Sequence, residues 1–148
     1  MSIPNQVLLL VEDCPDDVFF MRYALKQAAI TCPTHVVTDG QQAIDYLSGL
    51  GQYSDRSAFP LPTAIFLDLK LPFLNGFDVL SWLRNQPSLS QLPVIILTGS
   101  SESRDKEQAR ALGVLDYYVK PATPSMLRAV MESLNHVPAR APLDASRF

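Results

Sequence analysis

Long apolar stretches are missing from this sequence, and so is any excess of positive charge. No run approaches the roughly 18 apolar residues that a membrane-spanning helix needs. The stretch MSIPNQVLLLVED has neither a basic leader nor a small-residue cleavage site. The 12 Lys and Arg residues are scattered among 15 Asp and Glu residues, which gives a net charge of -3. We therefore expect a cytoplasmic protein with no membrane anchor, no secretory signal and no direct binding to nucleic acid.

Cysteine and histidine are scarce, with two residues of each. Cys14 and Cys32 flank a predicted helix of about 15 residues, which at 1.5 Å per residue separates them by roughly 20 Å. A disulfide needs Cα atoms within about 7 Å, so none is expected. His35 and His136 lie far apart and no cysteine pair accompanies them, which argues against a zinc site. The absence of GxxxxGK[ST] excludes a nucleotide hydrolase of the P-loop type.

Five apolar, β-prone runs alternate with segments whose apolar residues recur at helical spacing. This alternation predicts an α/β fold with five βα units, a parallel sheet and helices on both faces, in three layers. The last helix is predicted over Pro124–Asn135, with Thr123 as its N-cap, and Asp39 is predicted to cap the second helix. The predicted strands are Val7–Val11, His35–Thr38, Ala64–Leu67, Val94–Leu97 and Leu115–Val119.

The chain length of 148 residues suits one domain. We expect this domain over residues 1–137, followed by a flexible tail over 138–148 and no output domain. The segment Ser48–Pro62 is rich in turn-forming residues and is predicted to be a surface loop.

Polar residues follow four of the predicted strands at the point where each strand ends. Glu12 and Asp13 follow the first strand, Asp68 the third, Thr98 the fourth and Lys120 the fifth. Because the carboxyl ends of parallel strands meet at one edge of a sheet, these side chains should converge in one crevice. Three carboxylates in a partly dry site repel one another, and a hard divalent cation relieves the repulsion. Either Glu12 or Asp13 alone would also suit a solvated strand end, but the coincidence of four strand ends predicts a Mg²⁺ site.

A carboxylate beside Mg²⁺, an ammonium and a hydroxyl has the means to attack a phosphoryl group. The product would be an aspartyl phosphate on Asp68. Thr98 could donate a hydrogen bond to one phosphoryl oxygen, and Lys120 could neutralise another. The residues therefore predict phosphoryl transfer to Asp68 as the chemistry of this crevice.

The segments VLLLVED, AIFLDLKLP with a following NG, VIILTGS and DYYVKP resemble, in this order, response regulator receiver domains. The resemblance spans about residues 6–135 and rests on five separated motifs. It implies a flavodoxin-like sheet with strand order 2-1-3-4-5, an order for which a chemotaxis receiver is a well-known example. It also implies that Asp68 is the phosphoacceptor. Mg²⁺, or Mn²⁺ as an alternative ion, would bind Asp13, Asp68 and the backbone carbonyl of Lys70, with Glu12 acting mainly through water.

The same resemblance assigns roles to residues around the acceptor. Thr98 and Lys120 would contact the phosphoryl group, and Thr98 and Tyr117 would form the conformational switch. The Lys120–Pro121 peptide bond would be cis. Tyr117 could otherwise be an ordinary core aromatic of a strand.

The stretches VEDCPDD and VVTDGQQAIDYL, with the long loop before the third strand, resemble the single-domain regulators of bacterial, cyanobacterial-type phytochromes. This resemblance implies a sensor histidine kinase, a phytochrome, as the phosphoryl donor. It also implies a homodimer through the face formed by the fourth helix, fifth strand and fifth helix, and output through contacts with a downstream protein that the sequence does not identify.

Two other readings compete with a switch. A Mg²⁺-dependent phosphatase with an aspartyl nucleophile would carry a second Asp two residues after the nucleophile, and Lys70 occupies that position. A receiver-shaped binding module that is never phosphorylated would not need all five site residues. We therefore predict that the protein is not an enzyme, apart from its own phosphoryl transfer and slow dephosphorylation.

Overall fold

The computed structural model describes residues 6–136 and confirms the predicted α/β fold. Five parallel strands form one sheet in the order β2-β1-β3-β4-β5. The strands are β1 (Leu8–Val11), β2 (Thr34–Val37), β3 (Ala64–Leu67), β4 (Val94–Thr98) and β5 (Asp116–Val119). The helices are α1 (Pro15–Gln27), α2 (Gly40–Ser48), α3 (Gly76–Arg84), α4 (Ser103–Ala111) and α5 (Pro124–Asn135), with a short 3₁₀ helix at Gly51–Tyr53.

Two apolar layers enclose the sheet because successive strand residues point to opposite faces. On one face Leu9 and Ile65 pack with residues of α2, α3 and α4. On the other face Leu8 and Phe66 pack with residues of α1 and α5. The strands β1, β3 and β4 are buried along their whole length, which explains why their sequences are almost continuously apolar.

The register of the central strands places their carboxyl ends side by side. Val11 of β1 is paired with Leu67 of β3, so the residues that follow them, Glu12 and Asp68, leave the sheet together. Thr98 is paired with Val119, and the backbone N–H of Lys120 donates to the carbonyl of Thr98 at 2.7 Å. The four polar strand ends therefore share one edge, as predicted.

Side chains cap the starts of two helices, α2 and α5, whereas α1 has no side-chain cap. Asp39 accepts a hydrogen bond from the backbone N–H of Gln42 at 2.7 Å, and Thr123 accepts one from Met126 at 3.2 Å. Both predicted N-caps are thus confirmed. Cys14 occupies the N-cap position of α1, where its thiol makes no capping hydrogen bond within residues 6–136.

The segment Ser48–Pro62 is largely exposed, as predicted for a surface loop, but part of it packs against α2. Tyr53 is buried, and its ring centroid lies 5.0 Å from that of Tyr46 and 5.2 Å from that of Phe59. The Arg56 guanidinium donates to the backbone carbonyl of Tyr46 at 2.8 Å, near the end of α2. Aromatic packing and this arginine hold the segment against α2, although turn-forming residues dominate its sequence.

None of the helices in residues 6–136 is long and apolar enough to cross a bilayer. The predicted tail over residues 138–148 lies outside the described residues.

Candidate functional site

Three carboxylates converge at the carboxyl edge of the sheet. Oxygen atoms of Glu12, Asp13 and Asp68 all lie within 4.8 Å of one another. Glu12 is 3% exposed and Asp68 5% exposed, whereas Asp13 is open to solvent. Oxygen ligands at this separation, with one side of the cluster open, suit a hard divalent cation. The donor set therefore fits the predicted ion.

The backbone after Asp68 folds back on itself and fixes the position of this side chain. The N–H of Lys70 donates to Oδ1 of Asp68 at 3.2 Å. The N–H of Gly76 donates to the carbonyl of Leu69 at 2.9 Å. A Cβ on Gly76 would collide with the carbonyl oxygen of Asp68, so only glycine allows α3 to begin this close to the acceptor. Asn75 and Asp78 complete a reciprocal capping box at the start of α3.

Lys120 lies at the centre of the carboxylate cluster. Its Nζ pairs with Glu12, and it lies 2.8 Å from Oδ2 of Asp68 and 2.8 Å from Oδ2 of Asp17. Asp17 was not among the predicted site residues. The available signal was its place in the first turn of α1, which begins directly after the carboxylates at the end of β1.

The local charges also set the protonation of this cluster. Burial raises the pKa of Glu12 above its usual value of 4.5, although the ammonium of Lys120 and the N–H of Cys14 oppose the effect. Burial alone would lower the pKa of Lys120, but hydrogen bonds to the carboxylates of Asp17, Asp68 and Glu12 outweigh it and raise that pKa. Lys120 therefore stays positively charged at neutral pH and compensates part of the negative charge of the cluster.

Thr98 is fully buried at the end of β4, and its hydroxyl oxygen has no hydrogen-bond partner among residues 6–136. A buried hydroxyl without a partner costs about 1–3 kcal/mol. The Thr98 hydroxyl lies at the same sheet edge as Asp68, so it could donate a hydrogen bond to an acceptor oxygen of a ligand or a modified side chain there.

Tyr117 packs inward next to the β4–α4 connection. Its hydroxyl donates to the backbone carbonyl of Ser100 at 2.8 Å, and Nζ of Lys106 lies 5.9 Å from the ring centroid. Burial raises the pKa of the Tyr117 hydroxyl above its usual value. Ser100 in turn donates from its hydroxyl to Oδ2 of Asp105 at 2.6 Å. The predicted switch aromatic is thus hydrogen-bonded to the β4–α4 loop at Ser100, two residues after Thr98.

The remaining predicted features lie beside the same crevice. The Lys120–Pro121 peptide bond is cis, as predicted. The side chain of Lys70 is exposed at the rim of the crevice. An open cleft of about 590 Å³ extends from the carboxylates along this rim; its walls are Asp13, Leu69, Lys70, Leu71, Pro72, Asn75, Phe77 and Asp105.

Comparison with known proteins gives one consistent result. Residues 8–132 match the family described as the response regulator receiver domain. The response regulator Rcp1 of Synechocystis is 34% identical over 80% of this chain and 79% of its own length. Its solved Mn²⁺-bound form is 29% identical, with a TM-score of 0.73 over 94% of this chain and 99% of that chain.

Two further solved structures are similar over nearly the whole chain. The bacteriophytochrome response regulator RtBRR is 36% identical, with a TM-score of 0.79 over 95% of this chain and 86% of that chain. The phosphorylated cyanobacterial phytochrome response regulator RcpA is 30% identical, with a TM-score of 0.74 over 88% of this chain and 91% of that chain.

Proposed function

This chain belongs to the response regulator receiver domain family, and we propose that Asp68 accepts a phosphoryl group from a phytochrome-type sensor histidine kinase. The aspartyl phosphate then acts as a signal through protein contacts. The observation that carries the proposal is the environment of Asp68. This buried carboxylate has one oxygen on the ammonium of Lys120 and the other on the N–H of Lys70, beside two further carboxylates.

Asp13, Asp68 and the carbonyl of Lys70 would hold Mg²⁺, with Glu12 acting through water and Mn²⁺ as an alternative ion. The close approach of the three carboxylates supports this assignment, and so does the Mn²⁺-bound form of Rcp1. When bound, the ion would neutralise negative charge on the carboxylates and on the incoming phosphoryl group.

The transfer step needs a nucleophile and donors for the phosphoryl oxygens. An oxygen of Asp68 attacks the phosphorus of the phosphohistidine, the O–P bond forms, and the N–P bond breaks with its electron pair passing to the imidazole nitrogen. Lys120 contacts one phosphoryl oxygen as a fixed positive charge, and Thr98 donates a hydrogen bond to another. Lys120 is already within 2.8 Å of the acceptor carboxylate, so little movement is required of it.

The acyl phosphate would change the balance between two arrangements of the fourth and fifth βα units. Thr98 gains an acceptor that its buried hydroxyl lacks among residues 6–136, so it is drawn toward the phosphoryl group. Tyr117 can then exchange its bond to the Ser100 carbonyl for a position nearer β4. The face formed by α4, β5 and α5 thereby shifts in population toward a partner-binding form, and we propose a homodimer through the same face.

The choice of a phytochrome-type donor rests on similarity to RtBRR, RcpA and Rcp1. RtBRR and RcpA are named as phytochrome response regulators. The choice of a switch over a hydrolase rests on Lys70. Its exposed side chain stands where an aspartyl-nucleophile phosphatase has its general acid and base, so hydrolysis of the acyl phosphate should be slow.

Intact mass after incubation with Mg²⁺ and acetyl phosphate tests the proposal. The wild type should gain the mass of one phosphoryl group, and Asp68→Asn should gain none. Asp55→Asn is the matched control, because Asp55 is an exposed aspartate outside the site and its loss should leave labelling unchanged.

Labelling of Asp68→Asn, or no labelling of the wild type, would overturn the assignment. Steady release of inorganic phosphate without a lasting adduct would favour the phosphatase reading.

A further inference from the structure

Phe73 lies in the connection between β3 and α3, five residues beyond the proposed phosphoacceptor. Its side chain is 94% exposed, more than any other large apolar residue within residues 6–136. Its backbone φ is +67°, in the left-handed region. Bulky side chains rarely adopt this conformation because Cβ crowds the backbone. Both the exposure and the backbone conformation of Phe73 therefore need an explanation.

The turn explains the conformation but not the choice of residue. The chain must reverse here so that Gly76 can pack on the backbone of Asp68 and bond to the carbonyl of Leu69. A glycine at position 73 would adopt the left-handed conformation without strain. With 94% of the residue in water, the ring adds almost no apolar burial to offset the strain.

Ala29 offers a useful comparison, since it is the other non-glycine residue with positive φ in the described chain, at +59°. It ends α1 by donating from its N–H to the carbonyl of Lys26, while Ile30 donates to Leu25. These bonds form the usual left-handed helix terminus, and the side chain is only a methyl group. The helix terminus thus explains the left-handed conformation of Ala29. No comparable feature of the fold explains why an aromatic residue occupies position 73.

The surroundings of Phe73 suit contact with another protein. Leu71, Pro72 and Phe77 contribute apolar walls to the open cleft of about 590 Å³ that begins at Asp13. An exposed aromatic ring beside an open, partly apolar cleft has the character of an interface core, where aromatic residues are enriched. A ring held on a tight turn also loses little conformational freedom when it binds.

The position of Phe73 indicates which kind of protein would cover it. Three residues span at most about 11 Å, and Gly76, three residues after Phe73, packs directly on the backbone of Asp68. Phe73 therefore lies near Asp68. A protein interface covers about 800 Å² on each partner, a patch of about 16 Å radius. Any protein that centres a phosphohistidine on Asp68 therefore covers Phe73 as well, whereas a small phosphoryl donor does not.

We propose that Phe73 is a docking anchor for the phosphoryl donor protein, its ring inserting into an apolar surface beside the phosphohistidine of a phytochrome-type kinase. This inference rests on the proposed function of Asp68. Phe73 itself takes no part in the chemistry, so its loss should affect a protein donor and leave a small donor unaffected.

The test compares two donors, an autophosphorylated cyanobacterial phytochrome histidine kinase and acetyl phosphate, on four proteins. These are the wild type, Phe73→Ala, Phe73→Gly and the control Leu61→Ala. Leu61 is also a large exposed apolar residue, at 47%, but it precedes β3 and lies at the opposite edge of the sheet. Truncation of an interface anchor should lower the kcat/KM for transfer from the kinase about tenfold or more, mainly through KM. Labelling by acetyl phosphate should be unchanged in all four.

Thermal unfolding separates loss of contact from loss of fold. Phe73→Gly should unfold at a higher temperature than the wild type because it relieves the strained backbone, and Phe73→Ala should retain most of that strain. If Phe73→Gly is more stable than the wild type and still accepts the phosphoryl group from the kinase more slowly, damage to the fold does not explain the slower transfer.

Three results would overturn the inference. Unchanged transfer from the kinase to both Phe73 variants would show that the ring does not contact the donor. Equal slowing with both donors would place Phe73 in the chemistry of the site, and a change of oligomeric state alone would make it a contact between copies of this chain. Failure of acetyl phosphate to label the wild type would instead contradict the proposed function of Asp68.

Discussion

At the scale of single residues, Thr98 carries the clearest mark of a ligand-dependent role. Its hydroxyl is completely buried and has no hydrogen-bond partner among residues 6–136, so the unphosphorylated fold is less stable than it could be. Strain of this kind is common where a protein keeps a group ready for a reaction. The sequence identified Thr98 as a strand-end hydroxyl, but its lack of a partner depends on how every neighbouring side chain packs.

Thr98→Val should therefore stabilise the unphosphorylated protein by about 1 kcal/mol, because a methyl group replaces an unpaired buried hydroxyl of similar size. Urea denaturation at neutral pH without phosphoryl donor measures this change. Thr63→Val is the matched control, since the Thr63 hydroxyl accepts from the N–H of Val7 at 2.9 Å and its loss should destabilise. Equal destabilisation by both substitutions would mean that Thr98 has a partner in solution.

At the scale of elements, Lys120 joins the carboxyl ends of three strands to the first helix. Its ammonium contacts Glu12 after β1, Asp68 after β3 and Asp17 in α1. The sequence predicted the first two partners from the common strand edge. It did not predict Asp17, because that contact depends on the rotation of α1 above the sheet. Arg84 shows the same limit, since it donates to the carbonyl of Leu112, 28 residues away.

The buried carboxyl of Glu12 should make stability depend on pH when no divalent ion is present. Burial raises its folded-state pKa above 4.5, so the folded protein holds this proton more tightly than the unfolded chain. Stability from this group is complete below pH 4.5 and is lost as pH rises from there through the folded-state pKa. The loss can reach about 1.4 kcal/mol per pH unit within that window.

Glu12→Gln removes this titrating carboxyl, so the free energy of unfolding should fall less steeply as pH rises above 4.5. Urea denaturation of both proteins with a chelator present, in steps through this window, measures the difference. Lys120 does not interfere, because its raised pKa affects stability only above its ordinary value of 10.5. Parallel stability curves for the two proteins would contradict the argument.

At the scale of the whole molecule, the fold was predictable because buried parallel strands leave an almost continuous apolar signature. The run Ala64–Leu67 has the predicted bounds in the structure, and so does the helix Pro124–Asn135. The strand order came from the resemblance rather than from periodicity, which does not distinguish one parallel arrangement from another. The packing of Tyr53 against Tyr46 was not predicted, because the turn-forming residues around Tyr53 indicate only an exposed loop.

The proposed switch is a modest perturbation of this fold. A new hydrogen bond from Thr98 to a charged phosphoryl oxygen contributes about 1.5–3 kcal/mol. A coupling free energy of this size changes a conformational equilibrium or a partner's affinity by about 10- to 150-fold. On the proposed function, phosphorylation of Asp68 would bias the α4, β5 and α5 face without any large rearrangement of the sheet.

Phosphorylation of Asp68 can be tested directly by locating the phosphoryl group in the chain. The wild type is phosphorylated with acetyl phosphate and Mg²⁺, reduced with borohydride, which converts an aspartyl phosphate to homoserine, and digested for tandem mass spectrometry. We expect homoserine at position 68 and at no other aspartate. Reduction at Asp13 or Asp17 in place of Asp68, or a phosphate on a histidine or threonine that survives reduction, would contradict it.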